Sequence, residues 1–435
     1  MFEALTTYHL IIIFSITIII SYFFNLYAKK SGIPAVLLLI GLGIVINYSL
    51  RVSGFSKPDL LPILSVLGVV GLILIVLEAA LDLELVREKI SLITKSFVVA
   101  LIGLVITSYV SAIALSYTVE IIFSMKVEIF RALLFTIPLS ILGSAVILPS
   151  VDDVEKKRRE FIIYESTFSD ILGIVAFYAI LTVANSDSGG GVSLEVFGNL
   201  ILTVIISMII SYILIYIFQN IKGHVKLFLL IAVLLLLYAV GKMFHLSSLI
   251  IILIFGMMLN NSRVFFRGGL IALLNEEKVN SVLEDMKVVT AETAFVVRTF
   301  FFIIFGWSVY LGSILSVKVV GVGLLVLAVI YIVRALVLLV FKGKDILLEL
   351  FLAPRGLVTI LLFFAIPKEL SLGPKFEGVL LFVILVSCMF MTWALIAYKK
   401  RVSQPEEVEP LDLLKDEAGG HSEASDLEGE EYVKE

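Results

Sequence analysis

The fold class predicted for this chain is an all-α polytopic membrane protein of about thirteen transmembrane helices, and three observations predict it. Of the 435 residues, 60% are apolar and 16% charged, and the mean hydropathy of +1.10 lies far outside the range of water-soluble domains. Apolar windows long enough to cross a hydrocarbon slab of ~30 Å recur along almost the whole sequence. Basic residues collect in alternate connections, as the positive-inside rule requires.

The windows fall near residues 8–27, 33–50, 60–81, 95–118, 129–150, 161–184, 194–219, 225–241, 246–260, 291–312, 317–341, 345–367 and 375–398. The first has no basic residue before it and Lys29 and Lys30 after it, the reverse of a secretory signal, so it is expected to be retained. The third ends in VLEAALDLELVREKI, where Asp82, Glu84, Arg87 and Glu88 read as a solvated rim and Glu78, one turn deeper, as a residue facing a funnel. The fifth, IFRALLFTIPLSILGSAVILPSV, is interrupted by Pro138, Gly143 and Pro149 and carries Ser140 and Ser144. The sixth contains YESTFSDILGIVAFYAI, with Glu165 and Asp170 inside an apolar stretch. In the tenth, AETAFVVRTFFFIIFGWSV, Arg298 is expected to reach the inner headgroups and the phenylalanines to face lipid or pack in the core. The eleventh carries Arg334 in LAVIYIVRALVLLVF; the twelfth, DILLELFLAPRGLVTILLFFAIP, is interrupted by Pro354, Gly356 and Pro367 and carries Arg355. The thirteenth holds Cys388, the sole cysteine, which excludes an intrachain disulfide.

With the N-terminus outside, inside connections hold roughly twenty basic residues against roughly eight outside, which predicts a cytoplasmic C-terminus in the plasma membrane. Residues 402–435 hold twelve Asp/Glu and two Lys, a net charge of −10, leaving +6 for the first 401 residues against −4 overall. That segment is too polar for a core and is expected to be a disordered cytoplasmic tail. Nothing in it reads as a nucleotide-binding domain, so membrane lipid is an expected partner and neither nucleotide nor nucleic acid is. The four histidines form no HxxxH or Cys/His cluster, so neither a transition-metal site nor any cofactor is expected.

Thirteen spans divide into six, one linking helix and six, which makes the second group an inversion of the first. Spans five and twelve occupy matched positions, so their proline and glycine breaks predict discontinuous helices that cross where a transporter binds its cargo. Asp170 lies about ten residues into its span, hence about 15 Å deep. Ser166, Asp170 and Gly173 share one helix face, and Glu165 and Ser169 another. A lone intramembrane arginine is costly, so Arg334 and Arg355 should each find a carboxylate or a cavity. The pairing assigned is Glu165 with Arg355 as a permanent salt bridge, with Asp170 near a charge-compensating Arg334 as the exchangeable acid; the swapped pairing is the alternative. Hard monovalent cations take oxygen ligands, and Asp170 with the hydroxyls of Ser166, Ser169, Ser140 or Ser144 offers them, which makes Asp170 the expected alkali-cation ligand.

At these residues the chain resembles the monovalent cation/proton antiporter superfamily, over nearly all of residues 8–400. ESTFSD at 165–170 resembles the sixth-helix E-S-x-x-N-D motif, IVRALVLL the basic eleventh-helix segment, and APRGLVTILL the L-R-G-A motif. GIPAVLLLIGLGIVI, LEAALDLEL and LIIILIFGMMLNN are similar to the second, third and ninth helices. The resemblance implies that residues 1–401 are an antiporter domain: a core part near 95–184 and 317–398 moves against a dimerisation part near 8–81 and 225–312, with a linking helix near 194–219, in a homodimer. It implies that Asp170 binds cation and proton alternately and that Glu165 with Arg355 is the stabilising salt bridge. Two positions depart from the pattern. Residue 169 is Ser where the family has Asn or Asp, and the fifth-helix crossover reads ILGSAVIL where many members have T-D-P, closer to potassium-efflux relatives. The implied activity is electroneutral exchange of Na⁺, with K⁺ as the second choice, for H⁺. A sodium-coupled organic-anion symporter with a related crossed-helix fold and a proton-uncoupled cation channel are the rival readings.

Overall fold

The computed structural model describes residues 7–52, 61–185, 194–221, 226–243, 248–268, 271, 274–308, 316–373 and 375–403. The acidic segment from residue 404 onward, with His421, lies outside them, as do His224 and His245. Among the described residues the regular structure is entirely helical.

Eight helices are long and apolar enough to cross a bilayer, and Ala35–Ser49, Phe228–Met243 and Ser248–Asn260 are shorter apolar helices. The elements are α1 (Thr7–Ser31), α2 (Ala35–Val52), α3 (Leu61–Asp82), α4 (Ile90–Phe123), α5 (Ile129–Ser140), α6 (Ser144–Ile147), α7 (Lys156–Asn185), α8 (Leu194–Asn220), α9 (Lys226–Met243) and α10 (Ser248–Asn260). They continue with α11 (Ser262–Phe265), α12 (Glu276–Ser308), α13 (Val317–Lys342), α14 (Leu347–Phe351), α15 (Leu357–Phe364) and α16 (Lys375–Ser403). Large apolar side chains such as Ile12, Phe23, Ile121, Ile205 and Val340 stand exposed, the surface expected where acyl chains are the solvent.

α12 packs on α2 and α3, and α10 on α3 and α8, while α4 packs on α5, α7 and α13. The start of α12 corrects the sequence reading, which placed that span from 291. The helix begins at Glu276, because its first turns are amphipathic: Val279, Val282, Met286 and Thr290 bury one stripe while charged residues take the other face. An apolar window cannot register such an extension.

The two interruptions are where the prolines and glycines put them. α5 carries Pro138 in its last turn and stops at Ser140, with Ile141 extended. After the non-helical Ile141–Gly143, α6 starts at Ser144. In the twelfth span α14 ends at Phe351, residues 352–356 are non-helical, and α15 starts at Leu357. The two breaks cross in contact: the Gly143 N–H donates to the Pro354 carbonyl at 2.9 Å. Glycine is required there, since a Cβ on Gly143 would stand 2.8 Å from the Gly356 nitrogen. The first 396 residues form one compact unit; a second begins at Ala397 and contains the last turns of α16.

Candidate functional site

Every interrupted helix leaves backbone groups without intrahelical partners, so a crossing buried in the membrane must satisfy them from side chains. α5 ends with free carbonyls, and the guanidinium of Arg355 donates to the Ile141 carbonyl at 3.0 Å. α14 ends likewise, and Arg334 donates to the Glu349 carbonyl through Nε at 3.0 Å and a terminal nitrogen at 2.8 Å. At the opposite polarity, α6 opens with free N–H groups, and the Ser144 N–H donates to the Asp170 carboxylate at 3.3 Å. Cations thus serve the two C-terminal ends and a carboxylate serves one N-terminal end, the arrangement that helix dipoles favour.

This geometry corrects the assigned pairing. Glu165 is held by Arg334, with contacts of 2.7 and 3.1 Å, and not by Arg355. The reason is the position of Arg355 within the non-helical strand between α14 and α15. Its N–H is taken by Ser387 Oγ at 3.1 Å and its guanidinium turns to the end of α5. Arg334, on α13, is therefore the cation that faces Glu165, and its fork satisfies both carboxylate oxygens at once. One further expectation falls with this one: Arg334 does not compensate Asp170, which instead accepts from the first N–H of α6.

Asp170 is 2% exposed. Its Oδ2 accepts from the Ser144 N–H and the Ser144 hydroxyl, and its Oδ1 has no hydrogen-bond partner among the described residues. Of the five residues predicted as ligands, the structure brings Ser144 and Asp170 together. Ser169 Oγ instead accepts from the Leu142 N–H at 3.0 Å, satisfying a donor freed by the break. Ser140 donates to the Thr136 carbonyl at 2.8 Å and Ser166 to the Ile163 carbonyl at 3.1 Å, each within its own helix. Ser140, Ser169, Glu165, Arg334 and Arg355 line a small space of about 20 Å³, enough for about one water.

A much larger cavity, about 360 Å³, is lined by the exposed Asp152 and by Ser144 and Thr167 at the crossing. Its wall includes Glu78 and Asp82 of α3, Arg298 and Thr299 of α12, and Pro149 and Ser150 beyond α6. Glu78 faces the funnel as expected. Asp82 joins it, and so does Arg298, which the sequence reading sent to the inner headgroups and which lies in the wall 3.3 Å from Glu78. Phe301 and Phe302 are buried in the core.

Sequence reasoning missed Thr167 and Glu349. Thr167 is three residues before Asp170, one helical turn, so it shares that face. Glu349 has a fully buried side chain that binds Arg158 through two contacts of 2.7 Å and also pairs with Lys342, while Arg158 reaches Asp345 at 2.8 Å. A glutamate inside the apolar LLELF was the available signal. Among the described residues no group of three or more His, Cys, Asp or Glu is placed to hold a metal ion.

Broken helices that cross inside an apolar bundle, a buried carboxylate at the crossing and a cavity lined by its hydrogen-bond partner Ser144 define a membrane transporter. The sodium/hydrogen exchanger transmembrane family matches residues 13–397, and the chain belongs to that family. The fold is similar to the structure at pH 8 of the sodium proton antiporter MjNhaP1 from Methanocaldococcus jannaschii, with a TM-score of 0.69 and 19% identity over 89% of this chain and 97% of that one. It is also similar to the structure from an electron-microscopy map of the same antiporter, with a TM-score of 0.63 and 17% identity over 97% of this chain and all of that one. No curated protein matches the chain.

Proposed function

We propose that this protein is a secondary antiporter in which an alkali cation and a proton take turns neutralising Asp170. The carrying observation is a carboxylate, buried at the crossing, that has no cationic partner among the described residues, keeps one oxygen unbonded, and is held through the other by Ser144, which lines the large cavity. Burial favours the neutral form of any carboxylate, and a bound cation favours the charged form, so the two ions compete for the same oxygens. Ser144 is the nearest added ligand, and Thr167 offers a hydroxyl in the cavity wall. Ser140, Ser166 and Ser169 serve the backbone around them, which makes them supports of the site.

Na⁺ is the first choice of cation and K⁺ the second, and one exchangeable acid makes the exchange electroneutral. The working unit is a homodimer in the plasma membrane, with the N-terminus outside, needing no cofactor. Residues near 95–184 and 317–398 move against those near 8–81 and 225–312.

The test is Asp170→Asn in proteoliposomes carrying a pH-sensitive dye. Addition of Na⁺, K⁺ or Li⁺ should move protons in the parent protein and not in the variant, while insertion and thermal unfolding stay unchanged. Cation-driven proton movement retained in Asp170→Asn would remove that residue from the mechanism. Flux without proton movement would favour a channel, and flux that requires an organic anion a symporter.

A further inference from the structure

We propose that the Glu78–Arg298 pair sets the apparent cation affinity by fixing the electrostatic potential of the cavity that Ser144, the hydrogen-bond partner of Asp170, lines. The proposal rests on the exchange reading above and concerns residues that reading does not use. The charged side chains in the cavity wall are three carboxylates, Glu78, Asp82 and Asp152, and one guanidinium, Arg298. Asp152, at the exposed end, has Arg159 at 3.3 Å. Arg298 is therefore the one positive charge among the described cavity-lining residues, and it stands 3.3 Å from Glu78. A cation entering here crosses a low-dielectric passage whose wall charges focus the field on it.

The two arginine pairs of the molecule differ in kind. Arg334 and Glu165 are 10% and 2% exposed in their side chains and share two short contacts. Arg298 and Glu78 are 22% and 23% exposed and share one contact of 3.3 Å. So wet and so loose a pair contributes little to holding α3 against α12. That packing has its own apolar basis: Val297 lies against Gly71, and Leu72, Ile75 and Phe301 are buried. What the pair does control is charge. Removing Arg298 leaves three carboxylates with no positive charge in the wall, and removing Glu78 leaves Arg298 unpaired in the path of the incoming cation.

The two single substitutions should therefore act in opposite directions. In proteoliposomes with Na⁺ and Li⁺ at low ionic strength, Arg298→Gln should lower the half-saturating cation concentration about three- to tenfold and Glu78→Gln should raise it by a similar factor. The maximal rate at saturating cation should move less than the half-saturation value in both. Adding impermeant choline chloride to 0.5 M, where screening extends only about 4 Å, should collapse both shifts. Glu78→Gln/Arg298→Gln should return toward the parent. Shifts of the same sign, shifts confined to the maximal rate, or shifts that ignore salt would overturn the proposal and leave a packing role. If the parent protein drives no proton movement with any alkali cation, the exchange reading itself fails, which is a separate outcome.

Discussion

Arg334→Gln is expected to destabilise the fold by about 3–5 kcal/mol, because it leaves the carboxylate of Glu165, whose side chain is 2% exposed, without its cation. The same change removes two donors from the Glu349 carbonyl, at 3.0 and 2.8 Å, where a buried acceptor left alone costs a further ~1–3 kcal/mol. Glu165→Gln should cost less, since Arg334 keeps its two bonds to Glu349. The double variant Glu165→Gln/Arg334→Gln should be less damaged than the sum of the singles by about 2–3 kcal/mol. Arg355 supplies the control. Its guanidinium is bonded to the Ile141 carbonyl, so Arg355→Gln combined with Glu165→Gln should couple by less than about 1 kcal/mol. Unfolding in mixed detergent micelles, followed by tryptophan fluorescence, reads all five variants on one scale. Larger coupling between Glu165 and Arg355 than between Glu165 and Arg334 would refute the pairing described here.

Three more outcomes are open to measurement. Thr167→Val keeps the shape of the side chain and removes a hydroxyl from a cavity-lining residue; it should raise the half-saturating cation concentration several-fold, whereas Ser166→Ala should change it little, and equal effects would take Thr167 out of the ligand set. Gly143→Ala places a Cβ 2.8 Å from the Gly356 nitrogen and 3.3 Å from the Pro354 carbonyl, both backbone atoms that cannot turn aside, and should destabilise by about 1–3 kcal/mol with loss of transport. Gly103→Ala, where nothing lies within 4 Å, should be neutral or slightly stabilising. Competition at one carboxylate also fixes a pH signature: as pH falls through the titration of Asp170, the half-saturating cation concentration should climb toward tenfold per unit with the maximal rate at saturation unchanged, and a pH-independent value would mean that the two ions use separate groups.

Much of the site was legible because the signals are local. Pro138 and Pro354 break their helices by chemistry confined to a few residues, and the paired breaks pointed to a crossing. Asp170 was singled out by its depth as well as by the family resemblance, since a carboxylate ten residues into an apolar span has few reasons to be there. The partner of Glu165 was not legible. Helix periodicity places residues 165 and 170 on different faces, but which arginine meets which acid depends on how α13 and the 352–356 strand lie against α7, a tertiary fact. Arg298 failed for the same reason: a span-end position suggests headgroups until Glu78, 220 residues away in sequence, is known to stand beside it. Thr167 is an unremarkable residue in an apolar helix, and only the cavity distinguishes it from Ser166.

The departure at residue 169 has a physical reading in this geometry. The break after α5 frees the Leu142 N–H, and something on α7 must accept it in a place where water is scarce. Ser169 does so with a single oxygen and carries no charge. The negative charges of the crossing are then divided by what surrounds them: Glu165 is neutralised by Arg334 and Glu349 by Arg158 and Lys342, while Asp170 has hydroxyl and amide donors only. A carboxylate already matched to a fixed cation gains little from binding a mobile one, whereas one held by neutral donors still lacks a counter-charge. On the proposed reading Asp170 is thus the acid whose charge an exchanging ion would balance. Serine at 169 fits that reading, because a second acid there would add a carboxylate to the crossing and, under the same proposal, alter the charge carried with each proton.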